Sequence, residues 1–271
     1  MSKIEKCVID RSMMKMSDND YFKIPALSNS DFRLLAESVL HYENKDLFKL
    51  EGAALELGSA VHKLVLEPDT FNDDFVIEDF EGAELNKNSK AYKEAKEVWL
   101  DSVGERIVLS LDLFDQVTKM ARNVKAIAGG LLQNGVAEYA FFAELDDIPV
   151  KCKADYYRED IGVVIDLKTT KSIKDFKKSV LEYGYGTQSA FYTDVIEATG
   201  RKAERFVFIL VETAKPYMVS VQEMQIESIE EGRAIYSERL QSWKDYKLNN
   251  VVNVIKSTGF PEWYLEQRRG V

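Results

Sequence analysis

Apolar residues recur at helical spacing through the first half of the chain and switch to a strand-like spacing near residue 136. Residues 1–27 show neither period and read as an irregular arm. Ser28-Asn29-Ser30-Asp31 then places N-cap side chains ahead of Phe32, Leu34, Leu35, Val39 and Leu40, which predicts a helix over about residues 30–42. EGAALELGSAVHKLVLEP predicts a second over 53–66, with Pro68 helping to stop it. Residues 67–88 are acidic and mostly aperiodic and read as a long loop. AYKEAKEVWL and LDLFDQVTKMARNVKAIAGG predict two further helices, the second closed by Gly129-Gly130.

Beyond that point the period becomes two. AEYAFFAEL (137–145) is aromatic and strand-like, and Asp146-Asp147-Ile148-Pro149 supplies a turn. VKCKADYY (150–157) alternates, which predicts Val150, Cys152, Ala154 and Tyr156 on one face and Lys151, Lys153, Asp155 and Tyr157 on the other. After a turn over 158–162, VVIDLKTT (163–170) sets Val163, Ile165 and Leu167 opposite Val164, Asp166 and Lys168, completing an antiparallel meander of three strands. A helix over about 187–198 ends at Gly200. RFVFILVET (205–213) is apolar on both faces, as a buried central strand is. YMVSVQEMQI pairs beside it, an amphipathic helix covers about 228–248, and the last twenty residues form a mixed tail. The expected fold class is α/β: a mixed central sheet with an antiparallel meander, flanked by helices. The expected organisation is one domain over 1–271, with an arm (1–27), a mostly helical part (28–135), a sheet-bearing part (136–248) and a tail (249–271).

Composition narrows the functional classes. Hydrophobic residues make up 45% and charged residues 30%, a globular balance rather than a disordered one. There is no apolar run of about 18 residues to cross a membrane. MSKIEKCVIDRSMMKMSDND lacks the apolar segment of a signal peptide, so a cytoplasmic location is expected. Two cysteines, Cys7 and Cys152, cannot build a disulfide framework or a four-thiolate cluster and are expected to be free thiols. The net charge of −10, taken alone, argues against a nucleic-acid partner. Exposed charges are screened beyond about 8–10 Å, however, so the local charge of a cleft outweighs the sum.

The chemistry concentrates at Asp155 and Asp166-Leu167-Lys168. Asp166 and Lys168 are two apart on a strand and share a face, and Asp155 lies on the polar side of the preceding strand. Cross-strand neighbours come within roughly 4.5–5.5 Å. Two carboxylates at that range repel unless a cation lies between them, and hard oxygen donors suit Mg²⁺ or Mn²⁺. The Leu167 carbonyl is a further candidate oxygen ligand. Lys168 is placed to orient or deprotonate a water, or to neutralise charge developing on a phosphate. The same residues also describe the wet side of a half-exposed sheet. His62 lies mid-helix among Val61, Leu64 and Val65; Gln188 and Tyr192 are four apart on one helix face; Lys171, Lys174, Lys177 and Lys178 follow the strand as a basic run. Each of these features is also compatible with a plain packing or solvated role.

Taken in order, LSNSDFRLLAESVLHY, ALELGSAVHKLVLEPDTFNDDFVI, VKCKADYYREDIGVVIDLKTTKS and YGYGTQSAFYTDVI resemble the PD-(D/E)XK nuclease superfamily. They are most similar to the nuclease domain of RecE (exodeoxyribonuclease VIII) and related phage recombination exonucleases, over about residues 26–192. The resemblance implies that Asp155 and Asp166 are the two acidic metal ligands, Lys168 the catalytic lysine and His62 the early histidine near the metal. It implies that Gln188 and Tyr192 form the Q-x-x-x-Y helix, and it loosely matches Glu138 to an auxiliary acid. Ala154 stands where the motif has proline.

The implied activity is Mg²⁺-dependent hydrolysis of DNA from duplex ends, 5′ to 3′, leaving 3′ single strands for recombination by strand annealing. Mn²⁺ is expected to substitute. No iron–sulfur cluster is expected with two cysteines, and no ATP site, since G-x-x-x-x-G-K-[ST] is absent. A RecB-like module, a structure-specific endonuclease, a catalytically silent DNA-end-binding subunit and a generic acidic interaction domain remain alternatives. Arg33 and Lys151 are candidates for a terminal-phosphate pocket on charge alone. The expected partners are double-stranded DNA ends, a strand-annealing protein and further copies of the chain. Those copies would form a ring-shaped homo-oligomer, tetramer ahead of trimer, with the arm and the tail residues Trp263, Tyr264, Arg268 and Arg269 as possible contacts.

Overall fold

The computed structural model describes residues 12–48 and 52–250. The expectations placed on Cys7 and on the tail from residue 251, including Trp263, Tyr264, Arg268 and Arg269, lie outside the described residues.

The first surprise is the arm. Its described part forms β1 (Ser12–Lys15) and helix α1 (Asp18–Lys23), capped where Ser17 Oγ accepts from the Asp20 N–H at 3.1 Å. Short elements of four and six residues carry too few turns or alternations to show a period. The chain then forms α2 (Asn29–Glu37) and α3 (Val39–Glu43) rather than one helix over 30–42. Ser38 breaks it: its backbone is extended (φ −174°, ψ 164°), and its hydroxyl accepts from the His41 N–H. Serine offers the backbone this side-chain alternative to continuing a helix. Helix α4 (Ala53–Leu66) matches its expected bounds. The predicted loop over 67–88 instead begins with a 3-10 turn opened by Pro68 and holds a one-turn helix α5 (Phe71–Asp74) and β2 (Phe75–Ile77). Helix α6 (Lys90–Val103) leads to β3 (Ile107–Leu109), which pairs in parallel with β2. Helix α7 (Leu111–Ala128) follows.

The sheet comes next: β4 (Val136–Leu145), β5 (Ile148–Arg158) and β6 (Val163–Thr170) form the meander. Helices α8 (Phe176–Glu182) and α9 (Tyr185–Ala198) lead to β7 (Arg205–Glu212), β8 (Val219–Glu223) and α10 (Ile226–Asn249). Strand order is β1-β4-β5-β6-β7-β8. The β6–β7 pair is parallel and the others antiparallel, so the sheet is mixed.

Helices cover both faces. On one side Phe206, Phe208, Leu210 and Val164 pack with Phe191 and Val195 of α9, Tyr236 and Leu240 of α10, and Phe32 of α2. On the other, Val163, Ile165, Leu167, Val207 and Ile209 pack with Val61 and Val65 of α4 and Met120 and Val124 of α7. β7 feeds both layers alternately, which is why its sequence is apolar throughout. Helices α9 and α10 cross at two glycines. A Cβ on Gly232 would lie 2.2 Å from the Gly186 carbonyl oxygen, a distance no side chain tolerates. Lys151, a candidate for a phosphate pocket, is instead a buried tie. Its Nζ donates to the Tyr21 and Ile24 carbonyls at 2.7 Å each and holds α1 against β5. Among the described residues no helix is long and apolar enough to cross a membrane.

Candidate metal centre

The site is built by strand register. Asp146 and Asp147 both have positive φ (51° and 63°) and close a two-residue turn between Leu145 and Ile148. Counting back along the two strands sets Glu138 opposite Asp155. The β4–β5 ladder runs Ala137↔Tyr156 and Tyr139↔Ala154 but lapses between them, and Glu138 takes a left-handed backbone (φ 57°). A non-glycine residue in that region is strained, and such strain persists only where the surroundings impose it.

The ladder lapses on the other side of Asp155 as well. β5 and β6 pair at Tyr156↔Ile165, Tyr157↔Val164 and Arg158↔Val163. The next pair in register would be Asp155 and Asp166, and there the pairing stops. The Asp155 side chain fills the gap, its Oδ2 accepting from the Leu167 N–H at 2.8 Å. Glu138, Asp155 and Asp166 therefore form a row across three strands, at a point where backbone pairing gives way to side chains. The distortion also corrects the expected faces of β5. Val150, Cys152 and Ala154 enter the α9 layer as predicted, but Tyr156 packs in the α4 layer and Tyr157 in the α9 layer.

His62 reaches the row from α4, its Nδ1 3.4 Å from Asp155 Oδ2. One ligand atom from each of His62, Glu138 and Asp155 lies within 4.8 Å of the others. Asp166, 2% exposed, is held from the opposite side. Gln188 of α9 donates from Nε2 to its Oδ1 at 2.6 Å, and Lys168 Nζ stands 2.7 Å from its Oδ2. Oδ2 is buried and faces that ammonium. Lys153 flanks the row, 2.8 Å from Glu138 Oε2.

The electrostatics are those of crowded carboxylates. Burial pushes the Asp155 carboxyl well above the usual range, and the charges of Asp166 and Glu138 add to it against Lys168. Burial likewise raises Glu138, with Lys153 opposing. His62 is lowered to about 4, first by burial and then by the Lys168 ammonium. Burial works against the charge of Lys168, but Asp166 and Asp155 outweigh it and hold its pKa up. An imidazole nitrogen and a row of crowded, buried carboxylates are the donor set of a divalent-cation site.

The structure thus brings together His62, Asp155, Asp166, Lys168 and Gln188. Leu167 contributes its main-chain N–H, donated to the Asp155 carboxylate. Tyr192, one turn beyond Gln188, is half-buried against Phe191 and Phe206. Arg33 is exposed on α2. Glu138, only loosely matched from sequence, is a full member of the cluster. The two-residue turn at Asp146-Asp147 is the signal that would have placed it, by counting register.

Residues 25–253 match the model of a family described as "PDDEXK-like domain of unknown function (DUF3799)". The chain belongs to this family. The matched span of the PDDEXK-like domain contains the whole row, His62 and Gln188. A crystal structure described as "Putative exonuclease" from Eubacterium rectale is similar in fold, with a TM-score of 0.58 at 16% identity over 93% of this chain and 98% of that one. A phage related exonuclease from Haemophilus somnus 129PT aligns over 74% of this chain and 98% of its own at 13% identity, but its TM-score of 0.28 carries no weight. Comparison with curated proteins gave no match. Family, fold and triad together give a PD-(D/E)XK-like nuclease fold with a candidate divalent-metal site.

Proposed function

We propose that this PDDEXK-like domain is a Mg²⁺-dependent exonuclease that hydrolyses DNA phosphodiesters from duplex ends. The observation that carries this reading is the acidic row Glu138–Asp155–Asp166, flanked by His62 on one side and Lys168 on the other. His62, Glu138, Asp155 and Asp166 would hold the cation, with Mn²⁺ able to replace Mg²⁺. A cation held there supplies Lewis-acid chemistry, polarising a phosphodiester and acidifying water. Gln188 fixes one oxygen of Asp166, and the other faces the Lys168 ammonium. Lys168, its pKa held up by two aspartates against the cost of burial, is suited to neutralise charge growing on the phosphate rather than to take a proton.

The resemblance to RecE and related exonucleases supports three finer elements of the reading. These are 5′-to-3′ polarity with a 3′ overhang, a ring-shaped homo-oligomer, and delivery of the overhang to a strand-annealing protein. The deciding experiment incubates the purified protein with linear and with covalently closed circular duplex DNA, in Mg²⁺ and then in EDTA. Mg²⁺-dependent loss of the linear form alone is the expected result. Cutting of the circle indicates an endonuclease, and no cutting in any divalent cation removes the catalytic reading.

A further inference from the structure

The connection from β6 to α9 holds aromatic and basic side chains that the acidic row does not use. The Lys168 ammonium lies 5.3 Å from the centroid of the Tyr185 ring, so that ring borders the reacting centre. Its anchoring is internal: Tyr185 stacks on Phe176 (5.5 Å, 24°) and packs on Phe208 (5.4 Å). Tyr183 is its outer neighbour, with ring centroids 5.8 Å apart. Gly184 between them has φ +68°, and this left-handed turn brings the two rings together. Tyr183 itself is 58% exposed, so a face of its ring is open to solvent.

The charge of the same stretch is opposite to that of the chain. Residues 171–185 carry four lysines against Asp175 and Glu182, a local balance of 4 − 2 = +2 in a chain of net −10. Lys178 is paired with Asp175, while Lys171, Lys174 and Lys177 are exposed and have no acidic partner among the described residues. An aromatic step beside unpaired cations is how proteins hold single-stranded nucleic acid: rings stack on bases of any sequence and lysines follow the phosphates.

We propose that the exposed Tyr183 ring, backed by Tyr185, is a stacking platform for an unpaired nucleobase of the strand being cut, and that Lys171, Lys174 and Lys177 take the phosphates leading away from it. The proposal rests on the nuclease reading and deepens it by naming the substrate form: an end that is frayed or single-stranded at the site. Tyr185 lies between that base and Lys168, since it contacts the Tyr183 ring and the ammonium alike. The Tyr183 ring meets a base face and not its edge, so the platform selects unpaired over paired nucleotides without selecting sequence.

The test uses a fluorescein-labelled duplex with a short single-stranded tail, with binding followed by anisotropy in Ca²⁺ and KM for hydrolysis measured in Mg²⁺. Tyr183→Ala is expected to weaken binding about tenfold and to raise KM, while Tyr183→Phe, which keeps the stack, behaves as wild type. One abasic nucleotide in the tail is expected to cost the wild type a similar factor at a single position and to cost Tyr183→Ala nothing more. Replacing Lys171, Lys174 and Lys177 with Gln is expected to reduce the salt slope of binding by about 2. Tyr183 is exposed, and an unchanged melting temperature confirms that its variants fold. If the wild type cuts DNA while Tyr183→Ala matches it in affinity and KM, or if the abasic and Tyr183→Ala losses simply add, the platform is wrong and the nuclease reading stands. A wild-type protein that neither binds nor cuts DNA overturns both.

Discussion

Asp155 is the residue on which the site turns. It faces Glu138 across one strand boundary and Asp166 across the other, and both ladders lapse beside it. If Asp166 and Lys168 act as proposed, Asp166→Ala and Lys168→Ala abolish hydrolysis while circular dichroism shows an intact fold. Retention of more than about a tenth of the rate, roughly 1.4 kcal/mol in barrier, would place the chemistry elsewhere. The same crowding makes stability depend on pH. The folded pKa values of Asp155 and Glu138 are raised, so between the unfolded and folded values the native state holds more protons than the unfolded one. Stability of the metal-free protein therefore falls as pH rises through that window. Asp155→Asn keeps an acceptor for the Leu167 N–H and removes the charge. It is expected to raise the melting temperature in EDTA at neutral pH, and an unchanged or lower value would contradict the repulsion argument. His62 has the opposite sign. Its folded pKa is lowered to about 4, so its contribution is present above about 6.5 and is lost as pH falls toward 4. His62→Gln is expected to flatten that acid loss in thermal melts taken from pH 7 to 4.

At the scale of elements, the site depends on two layers keeping their places against the sheet. Helix α4 delivers His62 from one face and α9 delivers Gln188 from the other. The position of α9 is set by its contact with α10, which is closest at Gly186 and Gly232. Gly232→Ala places a methyl group against the Gly186 carbonyl and forces the helices apart. Overpacking of this kind costs about 1–3 kcal/mol or more, because backbone rather than a side-chain tip must yield. Urea denaturation is expected to show that loss, together with weaker hydrolysis as Gln188 shifts from Asp166. Wild-type stability in Gly232→Ala would show that the crossing relaxes freely. Arg233, bidentate to Asp194 with contacts of 2.7 Å, ties the same pair of helices one residue farther along.

For the whole molecule, the net charge of −10 is compatible with a DNA substrate only if cations are gathered where the strand runs. The lysines after β6 are such a gathering, and a closed ring would turn them toward its channel while the acidic exterior faces away. A ring keeps the enzyme on its strand by topology instead of by tight, salt-sensitive contacts, and it requires a heterologous interface that closes. Light scattering is expected to give a multiple of the 31.0 kDa subunit, a tetramer ahead of a trimer. A monomer at every concentration, combined with processive digestion, would rule out the ring as the source of processivity.

The sequence by itself determined the element types wherever a segment was long enough to show its period. It determined α4 to the residue, the meander, and β7 as a buried strand. It also placed Asp166 and Lys168 on one face, because the strand period is a local property of the backbone. Elements of three to seven residues, such as β1, β2, β3 and α8, fell below what periodicity can show. Tertiary structure alone decided the rest. Alternation along β5 predicted one continuous face, but the gap beside Asp155 turned Tyr156 the other way. Lysine 151 had the charge of a phosphate ligand, and only packing showed it satisfied by two carbonyls under α1. His62 stands 93 positions before Asp155 in a helix whose local pattern looks ordinary; resemblance named it, and its contact with Asp155 exists only because α4 is laid across the gap between β5 and β6. Which face a side chain takes is written within a few residues of it. Which distant group meets it there depends on how layers close over the sheet, and that is a property of the whole packed chain.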